Sequence, residues 1–340
     1  MNTTGHKIII AALAAAVLVS GQDACAQPGC DLKPSKTVLL YPEGQDSGKG
    51  LPEAWGPGES NGITEKEFIE DNGNISNITE ARFDLYFPEK PNGQMVIVCP
   101  GGGYGIVSSY NEGLYVADRM TKHGVTVAVV KYRLPNGHWT VPLTDVQNTF
   151  RYCRAHASEW GIRQIGVMGF SAGGHLAASA TTLYTDAVTR PDFSILIYPV
   201  ISFDWSITHG GTRMSLIGPD SKWLGREGKS FEQWNEDKAS LECLAEKYTL
   251  QNNITPDTPP VFLAHCTDDT VVPVQNSILF YLGLRENNVP AEMHIFPYGG
   301  HGWGFSTVEY TGYDGLGYAR SEFEASLFRW MDSLSGLSDK

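Results

Sequence analysis

The pentapeptide Gly169-Phe170-Ser171-Ala172-Gly173 constrains this chain more than any other feature. Residues 165–168 before it form an apolar run that predicts a short buried strand, and the small residues of 175–184 after it predict a helix. Turning from strand to helix across one residue strains that residue. The side chains around it must therefore be minimal, which glycine satisfies. Such a turn lifts the Ser171 hydroxyl above a sheet edge, with a helix N-terminus beneath it that favours negative charge. A bare GxSxG pattern is weak evidence, and its strand–turn–helix setting gives it force.

The rest of the chain repeats the same rhythm. Residues 95–99 are a continuous apolar run and 125–132 a nearly continuous one, as strands covered on both faces require, and 193–198 and 260–265 read as further strands. Residues 83–87 alternate in polarity, and 293–296 add a further strand. Helices are predicted over 112–123, ended by Gly124, over 143–160, ended by Gly161, and over 274–286 and 320–333. Strands and helices alternating at this spacing specify an α/β chain, with a mainly parallel central sheet and helices on both faces. Residues 27–80, rich in Gly, Pro, Asn and Glu, read as an N-terminal arm with one strand near 37–41. Residues 81–340 read as one domain. The stretch 202–258, with Trp205, Trp223 and Trp234, breaks the rhythm between two core strands. It reads equally as a lid and as a surface helix pair with buried tryptophan anchors.

A serine hydroxyl is a poor nucleophile until a base takes its proton. His301, in Gly299-Gly300-His301-Gly302-Trp303-Gly304 after the last strand, is the candidate base, because glycines on both sides leave its ring free to reach the serine. His265 reads as buried at a strand end, and His175 as packed beneath the elbow. His138 and His209 lie in loops that could meet a substrate. An orienting carboxylate is offered by Asp268 or Asp269, after the strand at 260–265. The order Ser…Asp…His is that of the α/β-hydrolase fold, and each member follows a predicted strand. Pro100-Gly101-Gly102-Gly103-Tyr104-Gly105 follows the strand at 95–99. The N–H groups of Gly102, Gly103 and Tyr104, with that of Ala172, are candidate donors to an oxyanion. The spacing fits neither a dinucleotide nor a P-loop pattern, and no CxxC, HExxH or His/Cys cluster points to a metal or cofactor.

The formal net charge of −13 supplies no basic footprint for nucleic acid. Lys7, the apolar run 8–19 and Ala24-Cys25-Ala26 have the layout of an export signal ending at residue 26, too short in its apolar part to span a bilayer. The expectation is a secreted or periplasmic protein that is not an integral membrane protein. A lipid anchor on Cys25 ranks lower, because Gln22 and Asp23 fit such a site poorly. The remaining cysteines are odd in number and widely spaced, which is no disulfide framework; Cys99 and Cys266 read as small core residues.

Together these residues resemble a bacterial α/β-hydrolase family of acetyl-xylan-esterase-like and feruloyl-esterase-like, xylanase-associated esterases. The likeness rests on Leu40-Tyr41-Pro42-Glu43-Gly44, Val98-Cys99-Pro100-Gly101-Gly102-Gly103-Tyr104, Lys131-Tyr132-Arg133-Leu134-Pro135 and the segment Gly166 to His175. It continues through Tyr198-Pro199-Val200-Ile201, Thr255 to Pro260, Asp268-Asp269-Thr270-Val271-Val272-Pro273 and Gly299 to Gly304, covering nearly the whole chain after the leader. The family pattern selects Asp269 over Asp268 as the acid. It implies a serine esterase with Ser171, Asp269 and His301 as its triad, acting without a cofactor on acylated plant carbohydrate. Tyr104 and Trp303 flank the triad as candidates for bounding an acyl pocket or stacking on a sugar, with packing as the alternative. Residues 222–237 look like extra length relative to the family, placed to reshape the pocket.

Overall fold

A computed structural model describes residues 29–41, 56–218 and 230–335. Residues 1–26, read above as an export signal and including Cys25, and residues 222–229 of the extra segment lie outside the described residues. The strands in chain order are β1 (Lys36–Leu39), β2 (Phe68–Ile69), β3 (Asn74–Ser76), β4 (Arg82–Tyr86), β5 (Gln94–Cys99), β6 (Val107–Ser108), β7 (Thr126–Lys131), β8 (Gln164–Phe170), β9 (Ser194–Ile197), β10 (Val261–Cys266) and β11 (Ala291–Phe296). The helices are α1 (Tyr115–Lys122), α2 (Val141–His156), α3 (Ser171–Thr182), α4 (Gly210–Ile217), α5 (Phe231–Lys247), α6 (Gln275–Glu286), α7 (Val308–Thr311) and α8 (Arg320–Ser335).

Eight strands form one sheet in the order β1-β4-β7-β5-β8-β9-β10-β11. The two pairings at the β1 edge are antiparallel and all others are parallel. β5, β7 and β10 are buried along their whole length. This explains their largely apolar sequences, since helices cover both faces of a parallel sheet. The core divides accordingly. Ile97, Val167, Phe150 and Leu176 lie in one buried cluster, and Val98, Met168, Phe262 and Trp330 in another. The arm is part of this architecture, because β1 is the edge strand of the main sheet. Arg133 ties more of the arm down, pairing with the buried Asp145 (2.6 Å) and donating to the carbonyls of Pro57 (2.7 Å) and Glu59 (3.1 Å). β2, β3 and β6 make a separate small sheet.

The strand order locates the site before any side chain is considered. From β5 the chain crosses to β7 on one side, then returns past β5 to β8 on the other. The loops leaving the carboxyl ends of β5 and β8 therefore diverge, opening the crevice where open α/β sheets bind ligands. The Gly-rich loop leaves β5 and Ser171 leaves β8.

The excursion at 202–258 carries α4 and α5 among its described residues. Its buried anchors are Phe203, Leu216, Ile217, Tyr248 and Leu250. Trp205 does not serve as a buried anchor, being 40% exposed.

Candidate active site

β8 runs to Phe170, and α3 starts at Ser171 itself. Ser171 has φ +53°, the left-handed strain that the pentapeptide implied. A Cβ on Gly173 would lie 2.1 Å from the carbonyl oxygen of Cys99, and one on Gly169 would lie 2.1 Å from that of Gly173. Only glycine lets α3 approach the ends of β5 and β8 this closely.

Three predicted residues meet here. His301 Nε2 lies 2.9 Å from Ser171 Oγ, and its Nδ1 lies 2.6 Å from Asp269 Oδ2. Facing a carboxylate, Nδ1 carries the proton, so Nε2 is free to accept from the serine hydroxyl. Asp269 Oδ1 accepts from the backbone N–H groups of Val271 (2.9 Å) and Val272 (2.8 Å). Burial pushes the Asp269 carboxyl up, but hydrogen bonds from His265 and His301 outweigh it and hold the group well below the usual carboxylate range. Asp268, the alternative, does not face the imidazole. It accepts from the N–H groups of Gly299 (3.2 Å) and Gly300 (2.8 Å), anchoring the loop that carries His301.

The loop after β5 lies against this group. A Cβ on Gly101 would sit 2.9 Å from that of Ser171. Gly102, Gly103 and Tyr104 have φ of +124°, +63° and +61°. Among the described residues their N–H groups have no hydrogen-bond acceptor, whereas Gly105 and Ile106 both donate to the Gly102 carbonyl. Ala172 is the second residue of α3, so its N–H has no intrahelical acceptor either. The sequence singles out these same four N–H groups as candidate oxyanion donors.

The Tyr104 and Trp303 side chains are not pocket walls. Both are 2% exposed. The Tyr104 hydroxyl donates to His175 Nδ1 (3.1 Å), and His175 Nε2 donates to the Tyr248 carbonyl (3.0 Å). Burial lowers the His175 pKa to about 4, so the ring is neutral and fastens the Gly loop to α3. Trp303 packs edge-on against Tyr198 and Phe323 under the His301 loop. Aromatic residues beside glycines read as pocket walls in sequence; here they anchor the loops from below.

Three participants escaped the sequence reading. Residues Tyr110–Leu114 form a π-turn ahead of α1, where one regular helix was expected. It presents Asn111 and Glu112 to the loop carrying His301 and to the Gly-rich loop, and π-turns often lie at functional sites. Asn111 donates to the Gly302 carbonyl (2.8 Å) and accepts from Ser306 N–H (3.0 Å). The buried Glu112 accepts from Gly101 N–H (2.6 Å) and from the Tyr198 hydroxyl (2.8 Å), which itself accepts from Gly304 N–H (2.8 Å). Burial raises the Glu112 pKa, opposed by those bonds and by the nearby His301. An acidic residue in a helical stretch normally reads as solvated, so no pattern exposed this role.

His209, an expected substrate-contacting loop residue, borders the site. Its Cε1 would lie 3.6 Å from a Cβ on Gly103, and its Nδ1 accepts from Thr212 N–H (3.2 Å) at the start of α4. Burial lowers its pKa, as does the neighbouring His301, and Nδ1, which accepts from Thr212 N–H, carries no proton. His138 instead lies beside Glu59 of the arm.

This geometry coincides with a family match over residues 83–284, to BD-FAE. The chain belongs to the BD-FAE family. It is 38% identical over 238 residues to an acetylxylan esterase of Xylanibacter ruminicola, covering 69% of this chain and 46% of that protein. It is 30% identical over 244 residues to an endo-1,4-beta-xylanase B of Butyrivibrio fibrisolvens, covering 67% of this chain and 35% of that protein. The chain thus spans less than half the length of these curated relatives. The crystal structure of an acetyl ester-xyloside bifunctional hydrolase from Caldicellulosiruptor lactoaceticus is similar, with a TM-score of 0.63 and 27% identity, covering 89% of this chain and 97% of that one. The fold is that of the α/β hydrolases. Among the described residues no helix is long and apolar enough to cross a membrane.

Proposed function

We propose that this BD-FAE protein is an exported serine carboxylic-ester hydrolase that removes acetyl groups from plant polysaccharides or oligosaccharides. One observation carries the reading: Ser171, His301 and Asp269 are hydrogen-bonded in series beside four backbone N–H groups that have no acceptor among the described residues. His301 takes the Ser171 proton as Oγ attacks the ester carbonyl carbon. The carbonyl oxygen becomes an oxyanion and receives N–H donors from Ala172 and from Gly102, Gly103 and Tyr104; each such donor is worth about 3–4 kcal/mol of barrier. Asp269 holds the Nδ1–H tautomer and offsets the imidazolium charge. The imidazolium gives its proton to the departing alkoxide, and the acyl group stays on Ser171. Water then attacks the acyl-enzyme, losing a proton to His301, and the acid leaves as Ser171 is regenerated. These steps call on no metal or cofactor.

The acetylxylan esterase and the acetyl ester-xyloside hydrolase support acetyl as the acyl group and a xylan-type carbohydrate as the alcohol. The charge and apolar pattern of residues 1–26 supports export. The test is acetate release from acetylated xylan against ferulate release from feruloylated arabinoxylan, for the wild type and Ser171→Ala. Acetate release that vanishes in S171A is expected. Ferulate as the faster product would replace the acyl assignment, and undiminished acetate release by S171A would remove the mechanism.

A further inference from the structure

The Asp269 carboxylate serves two imidazoles. Its Oδ2 meets His301 Nδ1 on one side and His265 Nε2 (3.2 Å) on the other. His265 is the penultimate residue of β10, and its side chain is fully buried, as is that of Asp269. The same Nε2 lies 2.9 Å from the Val272 carbonyl oxygen. Both neighbours are acceptors, so Nε2 must carry a hydrogen. The other nitrogen, Nδ1, lies 2.8 Å from Ser277 Oγ on α6, and Ser277 is also fully buried. Among the described residues His265 Nδ1 is the one acceptor within reach of the Ser277 hydroxyl proton. If Nδ1 also carried a hydrogen, that hydroxyl proton would be a buried unsatisfied donor. The arrangement that satisfies every group is a neutral His265. Ser277 donates to its Nδ1, and its Nε2–H is shared between Asp269 and Val272.

We propose that His265 is a positioning residue of the active site. It completes a buried series Ser171–His301–Asp269–His265–Ser277 and keeps Asp269 anionic and aimed at His301. The proposal rests on the triad reading above. With His265 in place the carboxylate has four donors: two backbone N–H groups on Oδ1 and two imidazoles on Oδ2. That number matches its lone pairs, so rotation of the carboxylate away from His301 would sacrifice donors on both oxygens. A neutral donor also suits the task better than a cation. An imidazolium at His265 would neutralise the charge that must offset the His301 imidazolium during turnover. His265 also withdraws electron density from Asp269 and so moderates its pull on the His301 proton.

The test compares His265→Phe, which keeps a buried ring without the donor, with His265→Gln, whose amide N–H restores one. The readout is the acidic limb of kcat/KM, which follows protonation of the base. The charged and titratable groups around His301 are Asp269, Asp268, Glu112, His209 and Tyr198, and neither variant replaces any of them. H265F is expected to lower kcat roughly tenfold with little change in KM. It should also move the acidic limb upward by about half a pH unit, since an unshared carboxylate holds the His301 proton more tightly. H265Q should return both toward the wild type. An unmoved limb in H265F, or equal impairment in both variants, would overturn the proposal. Nitrogen-15 NMR of imidazole-labelled wild-type protein checks it without any variant or activity. At the pH of the activity assay the Nδ1 of His265 should be unprotonated beside a protonated Nε2, as the partners of the two nitrogens require. A cationic ring or an Nδ1–H tautomer there would also overturn it. Absence of esterase activity in the wild type would instead refute the triad reading, leaving the NMR result intact.

Discussion

Removing one oxygen atom, in Tyr198→Phe, tests whether the Gly-rich loop and the His301 loop hang on a shared buried network. The hydroxyl donates to Glu112 Oε1 and accepts from Gly304 N–H, both at 2.8 Å. The phenyl ring of the variant fills the same space, so apolar packing against Phe170 and Trp303 is retained. Two buried polar groups lose a partner. Each costs roughly 1–3 kcal/mol, and the charged one lies at the upper end. The expected loss is therefore about 2–6 kcal/mol from a total of order 5–15 kcal/mol. The loss depends on pH. Burial holds the Glu112 pKa above its ordinary value, and losing a donor raises it further. Glu112 therefore lowers stability most at pH values above its folded pKa. The penalty is relieved as pH falls from there toward the unfolded value, where the folded protein takes up the proton first. Urea unfolding followed by tryptophan fluorescence should show a larger deficit near pH 8 than near pH 5.5 (about one unit above the unfolded glutamate value). A double-mutant cycle with Glu112→Gln should show coupling of about 1 kcal/mol or more. Wild-type stability at pH 8 to within about 0.5 kcal/mol, or an equal deficit at both pH values, would refute the reasoning.

Other outcomes follow from the same contacts. Gly173→Ala should be unstable or inactive, since its Cβ would lie 2.1 Å from a backbone oxygen, whereas Gly161→Ala, with nothing within 4 Å among the described residues, should cost only the roughly 1 kcal/mol of its left-handed φ of +68° in the same melting assay. His175, with its pKa lowered to about 4 by burial, contributes stability that is complete above its unfolded pKa near 6.5 and is lost as pH falls toward 4. His175→Gln should flatten stability across that window by roughly 3 kcal/mol, while the Asp269 contribution is lost only at lower pH. His209→Ala removes the side-chain acceptor for Thr212 N–H and should cost about 1 kcal/mol in thermal unfolding, with His209→Asn recovering most of it.

The parallel sheet was legible because burial on both faces writes itself as largely apolar runs. β5, β7 and β10 fall within a residue or two of the expected positions. The start of α3 was misplaced, at 175 and not 171, because Ser-Ala-Gly-Gly resembles loop sequence although its residues are already helical. β2, β3 and β6 are two or three residues long, too short for any alternation to appear. The π-turn at Tyr110–Leu114 left no trace because one extra residue in a turn does not disturb the helical spacing around it. That Ser171, Asp269, His301 and the Gly-rich loop come together could be read because glycines and strand ends mark where backbone segments approach closely. The groups that support them could not. Glu112 and Tyr198 are defined by partners 11 to 106 residues away, and such pairings have no local signature.

The central claim is that Ser171 is a nucleophile activated by His301. A fluorophosphonate ester mimics the acyl group and leaves a stable adduct on such a serine. Intact-mass and peptide mass spectrometry should find one adduct per chain, on Ser171, formed far more slowly in His301→Ala and absent in S171A. Labelling at another residue, or equal labelling of S171A, would contradict the account.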